Sequence, residues 1–237
     1  MVIDMKIVIV GGSFEGLFLA LNICQNHDVA IIELQPEIGI PNDRPALIHS
    51  EELLNELNIP MNHPMLQSNQ TTYGITFRLE WLMKLLTIQC SQQNIAIFTR
   101  TRIIEHNYDH HHIIHVSSEQ QEIVADVLID ARWPGRSFPG RKNHVLKNDK
   151  IDLVLIGQQF STPWVGRTYP IQKGDFSQAS IILPRADSLV ETWWKKEMAP
   201  NDSLHIEQVQ IVGPKNIADL SLDSNLPFVR DIITKLM

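Results

Sequence analysis

The sequence predicts an α/β fold organised on a parallel sheet, and three observations carry that prediction. Ile7–Val10 is a continuous β-branched run, as expected of a strand buried on both faces. A glycine turn, GGSFEG over 11–16, follows at once and opens a run in which Leu17, Ala20 and Leu21 recur at helical spacing. Val29–Glu33 then forms a second short apolar strand. Strand, turn, helix and strand fit the roughly 30 residues of a βαβ unit, whose crossover is right-handed.

The later elements follow in order. Residues 36–46 are turn-rich. His49 and Ser50 offer a cap for a helix over EELLNELNI, with Leu53, Leu54 and Leu57 on one face. Residues 61–74 read as irregular, and Leu79–Asn94 is the longest helical pattern. Strands are expected at 95–106, 113–118 and 123–131, an antiparallel meander returning to a buried strand. From about 138 the chain turns basic and loop-like, with later strands at 152–157 and 178–184. VETWWKKEM reads as an amphipathic helix holding Trp193 and Trp194, and 226–237 as a closing helix. This divides the chain into a nucleotide-binding domain with a meander (1–150), an abbreviated second region (151–208) and a C-terminal strand and helix (209–237). No repeat or low-complexity tract interrupts it.

Composition narrows the function classes. The chain has 237 residues, 43% hydrophobic and 20% charged, as in an ordinary globular protein. A net charge of −7 without a basic stripe argues against nucleic acid as a partner. Two cysteines, Cys24 and Cys90, suit a reducing cytosol better than a disulfide framework. The N-terminus lacks a signal-peptide pattern, and no apolar run reaches the ~20 residues of a membrane span. A cytoplasmic location is expected.

In a dinucleotide fold the first glycine makes the tight turn, the second admits the pyrophosphate and the third lets helix and strand pack closely. Gly11 and Gly16 fill the first and third places. Ser13 holds the second, small enough to fit and able to donate to phosphate, with the helix N-terminus supplying N–H groups. Glu33 lies 22 residues after Gly11, where an acid binds the ribose 2′-hydroxyl. A carboxylate there favours FAD or NAD over NADP. Glu15 either caps the helix toward solvent or repels the anion.

Four segments in order resemble the FAD-dependent oxidoreductases related to p-hydroxybenzoate hydroxylase and geranylgeranyl reductase. They are VIVGGSFEGLFLAL, GIPNDRPALIHSEELLNELNIP, TYGITFRLEWLMKLLTIQCSQQNIAI and VADVLIDARWPGRS. The resemblance implies a Rossmann-like FAD/NAD(P)-binding fold with a small antiparallel β substrate region. It places Gly11, Gly12, Ser13, Phe14 and Gly16 around the FAD pyrophosphate, Glu33 on the ribose, and Arg44 and Arg78 against the cofactor. Asp130, Ala131 and Gly135 correspond to its later turn. STPWVGRTYPIQKGDFSQASIILPR is similar to the reductases' substrate-domain strands, so Trp164, Tyr169 and Pro170 would line a substrate space. The family also carries a strand ending in Gly-Asp, where QIVGPKNIADL offers Gly213-Pro214.

The implied activity is FAD-dependent oxidoreduction, of the monooxygenase or reductase kind, on a small or lipophilic organic substrate, with NADH or NADPH as reductant. A homo-oligomer or partner subunit is compatible with it. Two alternatives stay open: a non-catalytic subunit or nucleotide sensor on a degenerate flavoprotein fold, and an NAD-binding enzyme. His110, His111, His112 and His115 with Asp109 read as a polar hairpin turn rather than a metal site.

Overall fold

The computed structural model describes residues 4–40, 44–117, 122–133, 144–156, 160–173 and 176–237. Its first layer is a five-stranded parallel sheet in the order β11-β10-β1-β2-β6. The strands are β1 (Lys6–Val10), β2 (Asp28–Ile32), β6 (Ala96–Phe98), β10 (Val127–Asp130) and β11 (Leu153–Val154). The continuous apolar run of β1 has a direct cause. Ile7 and Ile9 pack with Ile31 and Ile129 under the helices, whereas Val8 and Val10 pack with Ile32 and Leu128 under an antiparallel meander.

Helices α1 (Phe14–Ile23), α3 (Leu79–Gln92) and α4 (Leu226–Leu236) cover the first face. The meander on the other face is β7 (Ile103–Tyr108), β8 (His112–Val116) and β9 (Glu122–Ala125). Two stretches expected as single strands each split between these layers. Residues 95–106 break after β6, where Arg100 takes a left-handed φ of 53°, so that β7 leaves the sheet. Residues 123–131 break at Asp126, whose N–H and carboxylate both bond the backbone of Lys6.

A small sheet of β3 (Leu47–Ile48), β5 (Gly74–Thr76) and β4 (Asn69–Thr71) flanks the short helix α2 (Glu51–Glu56), which Ser50 caps through the N–H of Glu52. Part of the stretch read as irregular, 61–74, is therefore paired. A four-stranded antiparallel sheet completes the architecture: β13 (Ile181–Pro184), β14 (Leu189–Lys195), β12 (Thr162–Pro170) and β15 (Glu207–Gly213), in that spatial order.

One expectation is corrected here. VETWWKKEM is mostly strand β14, not an amphipathic helix. Its period is two: Glu191 and Trp193 face the first layer, and Val190 and Trp194 pack with Tyr169 on the opposite side. Both tryptophans are buried because both faces of this sheet are covered. The segment compared with the Gly-Asp strand is β15, which runs antiparallel to β12 in this second sheet. The edge position beside β10 in the parallel sheet belongs to β11, within the DLVLIG stretch. Among the described residues no helix is long and apolar enough to cross a membrane.

The histidine-rich hairpin divides by burial. His110 and His111 are exposed, whereas His112 is fully buried between His106 (Nδ1···Nε2, 3.0 Å) and Asp152 (Nε2···Oδ2, 2.7 Å). Among the described residues no three metal-ligating side chains converge there or elsewhere.

Candidate functional site

The C-terminal ends of β1, β2 and β10 and the N-terminus of α1 surround a cavity of about 360 Å³. Gly11 makes the turn out of β1 at φ +104°, and a Cβ there would stand 2.8 Å from the Arg132 backbone nitrogen. Gly16 lets α1 pack down, since a Cβ would come within 2.9 Å of the Gly11 carbonyl and 3.0 Å of Ala131 Cβ. Ser13 is the helix cap, its hydroxyl accepting from the Gly16 N–H at 3.2 Å. A Cβ on Gly12 would meet Ile38 at 2.7 Å and the Glu33 carboxylate at 3.3 Å.

Of the residues singled out in the sequence, Gly11, Gly12, Ser13, Phe14, Glu33, Arg44 and Asp130 all line this cavity. Gly16 stands behind it as packing. Glu33 accepts from the N–H groups of Gly12 and Gln35, both at 2.7 Å. Asp130 is held by Arg132 through a pair of bonds at 2.7 and 2.8 Å. Gly135 lies outside the described residues.

Glu15 takes neither of the two courses expected of it. It is buried and clasps Arg44 in a two-pronged pair at 2.8 and 2.9 Å, with the guanidinium 4.3 Å from the Trp133 ring centre. The carboxylate near the phosphate position is thus neutralised by the arginine expected against the cofactor.

Several lining residues carried no sequence argument. Gln35 and Trp133 are buried in the cavity wall, and among the described residues Gln35 Nε2 and Trp133 Nε1 have no hydrogen-bond partner. Buried N–H groups of this kind are stabilised by an acceptor, such as a phosphate, ribose or adenine atom. His144 also lines the cavity. Its Nδ1 accepts from the Ile103 N–H at 3.0 Å, and burial, with Arg132 nearby, pushes its pKa down to about 4. At neutral pH it is therefore an uncharged imidazole whose proton sits on Nε2. Gln35 stands two residues after Glu33, and Arg132 and Trp133 lie two and three residues after Asp130, inside the segment VADVLIDARWPGRS, so weighing each motif's neighbours would have reached them.

Arg78 is elsewhere. It starts α3, bonds Glu80 through Nε at 2.6 Å and lines a second cavity of about 400 Å³ between the two layers. The two cavities meet at Gly39 and Ile40. Trp164 and Tyr169 line neither of these two cavities. Trp164 is buried in the main core, donating to the Pro214 carbonyl at 2.8 Å. Tyr169 points to the far side of its sheet, toward Trp194 and Asp202. Both are large side chains that fill space between layers. The second sheet instead presents Glu191 and Trp193 to the cavity. An acid at an inward position of an apolar strand was the available signal, hidden by the helical reading.

Glu191 is 3% exposed, and Oε1 accepts from Trp193 Nε1 at 2.6 Å and the Ala46 N–H at 3.1 Å. Burial pushes its carboxyl up from 4.5 to about 7. Because the folded state holds this proton more tightly than the unfolded chain, the stabilisation is complete at low pH and is lost as pH rises through 7. Replacing Glu191 by glutamine is expected to flatten the decline of Tm between pH 5 and 8. Parallel melting curves against pH for the two proteins would contradict it.

The arrangement defines a class by fold: a Rossmann-like parallel layer joined to an antiparallel sheet, a fold shared with a p-nitrophenol 4-monooxygenase, a flavin-dependent halogenase and a geranylgeranyl bacteriochlorophyll reductase-like protein. The chain is similar to the p-nitrophenol 4-monooxygenase PnpA from Pseudomonas putida DLL-E4, with a TM-score of 0.66 and 10% identity, covering 99% of this chain and 79% of that one. It is similar to Tar14, a tryptophan C-6 flavin-dependent halogenase from taromycin biosynthesis, with a TM-score of 0.63 and 12% identity over 98% and 71% of the two chains. A geranylgeranyl bacteriochlorophyll reductase-like protein from Thermoplasma acidophilum matches at a TM-score of 0.57 and 13% identity, over 87% of this chain and 65% of that one. No family model and no curated protein matches the sequence.

Proposed function

We propose that the chain is an FAD-dependent oxidoreductase acting on a small organic molecule, with NADH or NADPH as reductant. One observation carries the reading. The glycine turn, the N-terminus of α1, Glu33 and two partnerless buried N–H groups converge on a single cavity. Each has a counterpart on FAD: the helix N-terminus for the pyrophosphate, Glu33 for the adenosine ribose, and the Gln35 and Trp133 N–H groups for acceptor atoms.

FAD, when bound, supplies the hydride and electron chemistry, and the chain supplies position, charge and exclusion of water. The Glu15–Arg44 pair holds the helix start against Trp133 without leaving net charge beside the phosphates. His144 offers an uncharged Nε2–H to the cavity. The second cavity, meeting the first at Gly39 and Ile40, would take a substrate next to the cofactor's cavity.

A second reading, a non-catalytic or partner-dependent subunit, is favoured by one contact. Glu33 already takes the Gly12 N–H that would meet the pyrophosphate. Anaerobic mixing of the FAD-incubated protein with NADH and then NADPH separates the two. Bleaching of the flavin band by either, with oxidation on readmitting air, is the expected result. A bound flavin that neither nucleotide bleaches, with or without a panel of aromatic and lipophilic substrates, would contradict an enzyme that uses these reductants.

A further inference from the structure

The charged groups around the second cavity do not balance. Arg78 is held by Glu80. Arg167 also lines the cavity, but it is out of phase with Gly166 and Thr168 on β12, and its guanidinium bonds Gln208, Tyr169 and the Pro200 carbonyl and stands 3.7 Å from the Asp202 carboxylate. Two carboxylates remain. Glu191 Oε1 is doubly bonded, but among the described residues Oε2 has no hydrogen-bond or ion-pair partner. Glu207 pairs with Thr168 in the sheet register, so it shares that face, and it stands exposed at the rim, also without an ion-pair partner among the described residues. The rest of the wall is apolar: Ile40, Val209, and Trp193, whose ring lies so close over Gly166 that a Cβ there would stand 2.7 Å from it.

We propose that this cavity takes an organic cation, a primary or secondary ammonium carried on a compact apolar body. Its N–H donates to Glu191 Oε2, and Glu207 attracts it at the rim. Oε2 faces a mostly apolar cavity without a donor, so a charged N–H partner there stabilises the ionised carboxylate over its protonated form, while an anionic ligand opposes it. Ile40, Val209 and Trp193 bury the apolar body. The inference rests on the flavin reading only in calling this ligand a substrate; the preference for a cation comes from the cavity's own side chains.

The test compares benzylammonium, benzyl alcohol and benzoate, similar in shape and different in charge, on the full chain without added flavin. The indole N–H resonance of Trp193, assigned with Trp193→Phe, reports binding beside the Glu191 carboxylate. Benzylammonium is expected to shift it saturably and to bind about tenfold or more tighter than benzyl alcohol, the margin a charged hydrogen bond provides. Glu191→Gln removes that margin while the Trp193 signal stays in place. Should that variant not fold, Glu207→Gln decides, with an expected two- to fivefold weakening at low salt, roughly the worth of an exposed charge pair. No saturable shift, equal binding of the alcohol, tighter binding of benzoate, or a margin unchanged by the deciding variant would each overturn the proposal. A chain that binds FAD but shows no ammonium preference loses this inference alone. One that prefers ammonium but never retains FAD loses the flavin reading alone.

Discussion

Replacing Glu15 by alanine is expected to destabilise the protein by about 3–5 kcal/mol, the cost of removing one partner of a buried ion pair. Arg44 is 3% exposed and would lose the carboxylate that meets it with two parallel bonds. For a chain of this size that corresponds to a fall in Tm of roughly 6–20 °C. The comparison that isolates the pair is the double variant Glu15→Met, Arg44→Met. Replacing both ions by apolar side chains of similar volume removes both charges from the interior, so the double variant is expected to melt above the single one. Differential scanning calorimetry on the three proteins checks this. A single variant within about 1 kcal/mol of the parent would show that Glu15 and Arg44 are not paired in the dry interior.

Gly11→Ala is expected to have the second-largest effect, on folding and on the cofactor together. At φ +104° an alanine is strained by about 1–3 kcal/mol. Its Cβ would also press on backbone atoms of Ala131 and Arg132, at 2.8 to 2.9 Å, which cannot rotate away as a flexible side chain would. The turn and the end of β10 would have to separate, opening the cavity proposed to hold the pyrophosphate. FAD retention should be lost with a lowered Tm. Ser13→Gly is the control: glycine is an acceptable helix cap, costing a few tenths of a kcal/mol, so stability and FAD retention should persist. Absorbance of the desalted proteins and their melting temperatures read both variants. A Gly11→Ala protein that melts with the parent and keeps flavin would contradict the close approach of β1 to β10.

The parallel layer was legible because its signals are local. The βαβ unit, the glycine turn and Glu33 lie within 33 residues, and each position follows from strand period, φ or helix capping. The Leu79–Gln92 and Leu226–Leu236 helices were legible by the same periodicity. What depends on distant pairing was not. Nothing near Glu15 announces that Arg44, 29 residues on, neutralises it. Trp193 and Trp194 beside two lysines satisfy a helical pattern as easily as a strand, and only pairing with β12 and β13 decides between them. Trp164 and Tyr169 were expected in a substrate space only by resemblance to the reductases' substrate-domain strands, and their burial comes from layers that sequence spacing does not reveal. The parallel sheet's edge position went to β11, drawn from before the second sheet, which is a matter of topology rather than motif.

The measurement that bears most directly on the account is the visible spectrum of the purified protein after incubation with FAD and removal of the excess. A retained flavin band near stoichiometric with protein is expected, abolished by Gly11→Ala and weakened by Glu33→Ala, which removes the carboxylate proposed to bind the ribose. No band from a folded parent protein would contradict the claim that the cavity at the glycine turn holds FAD without help from a partner.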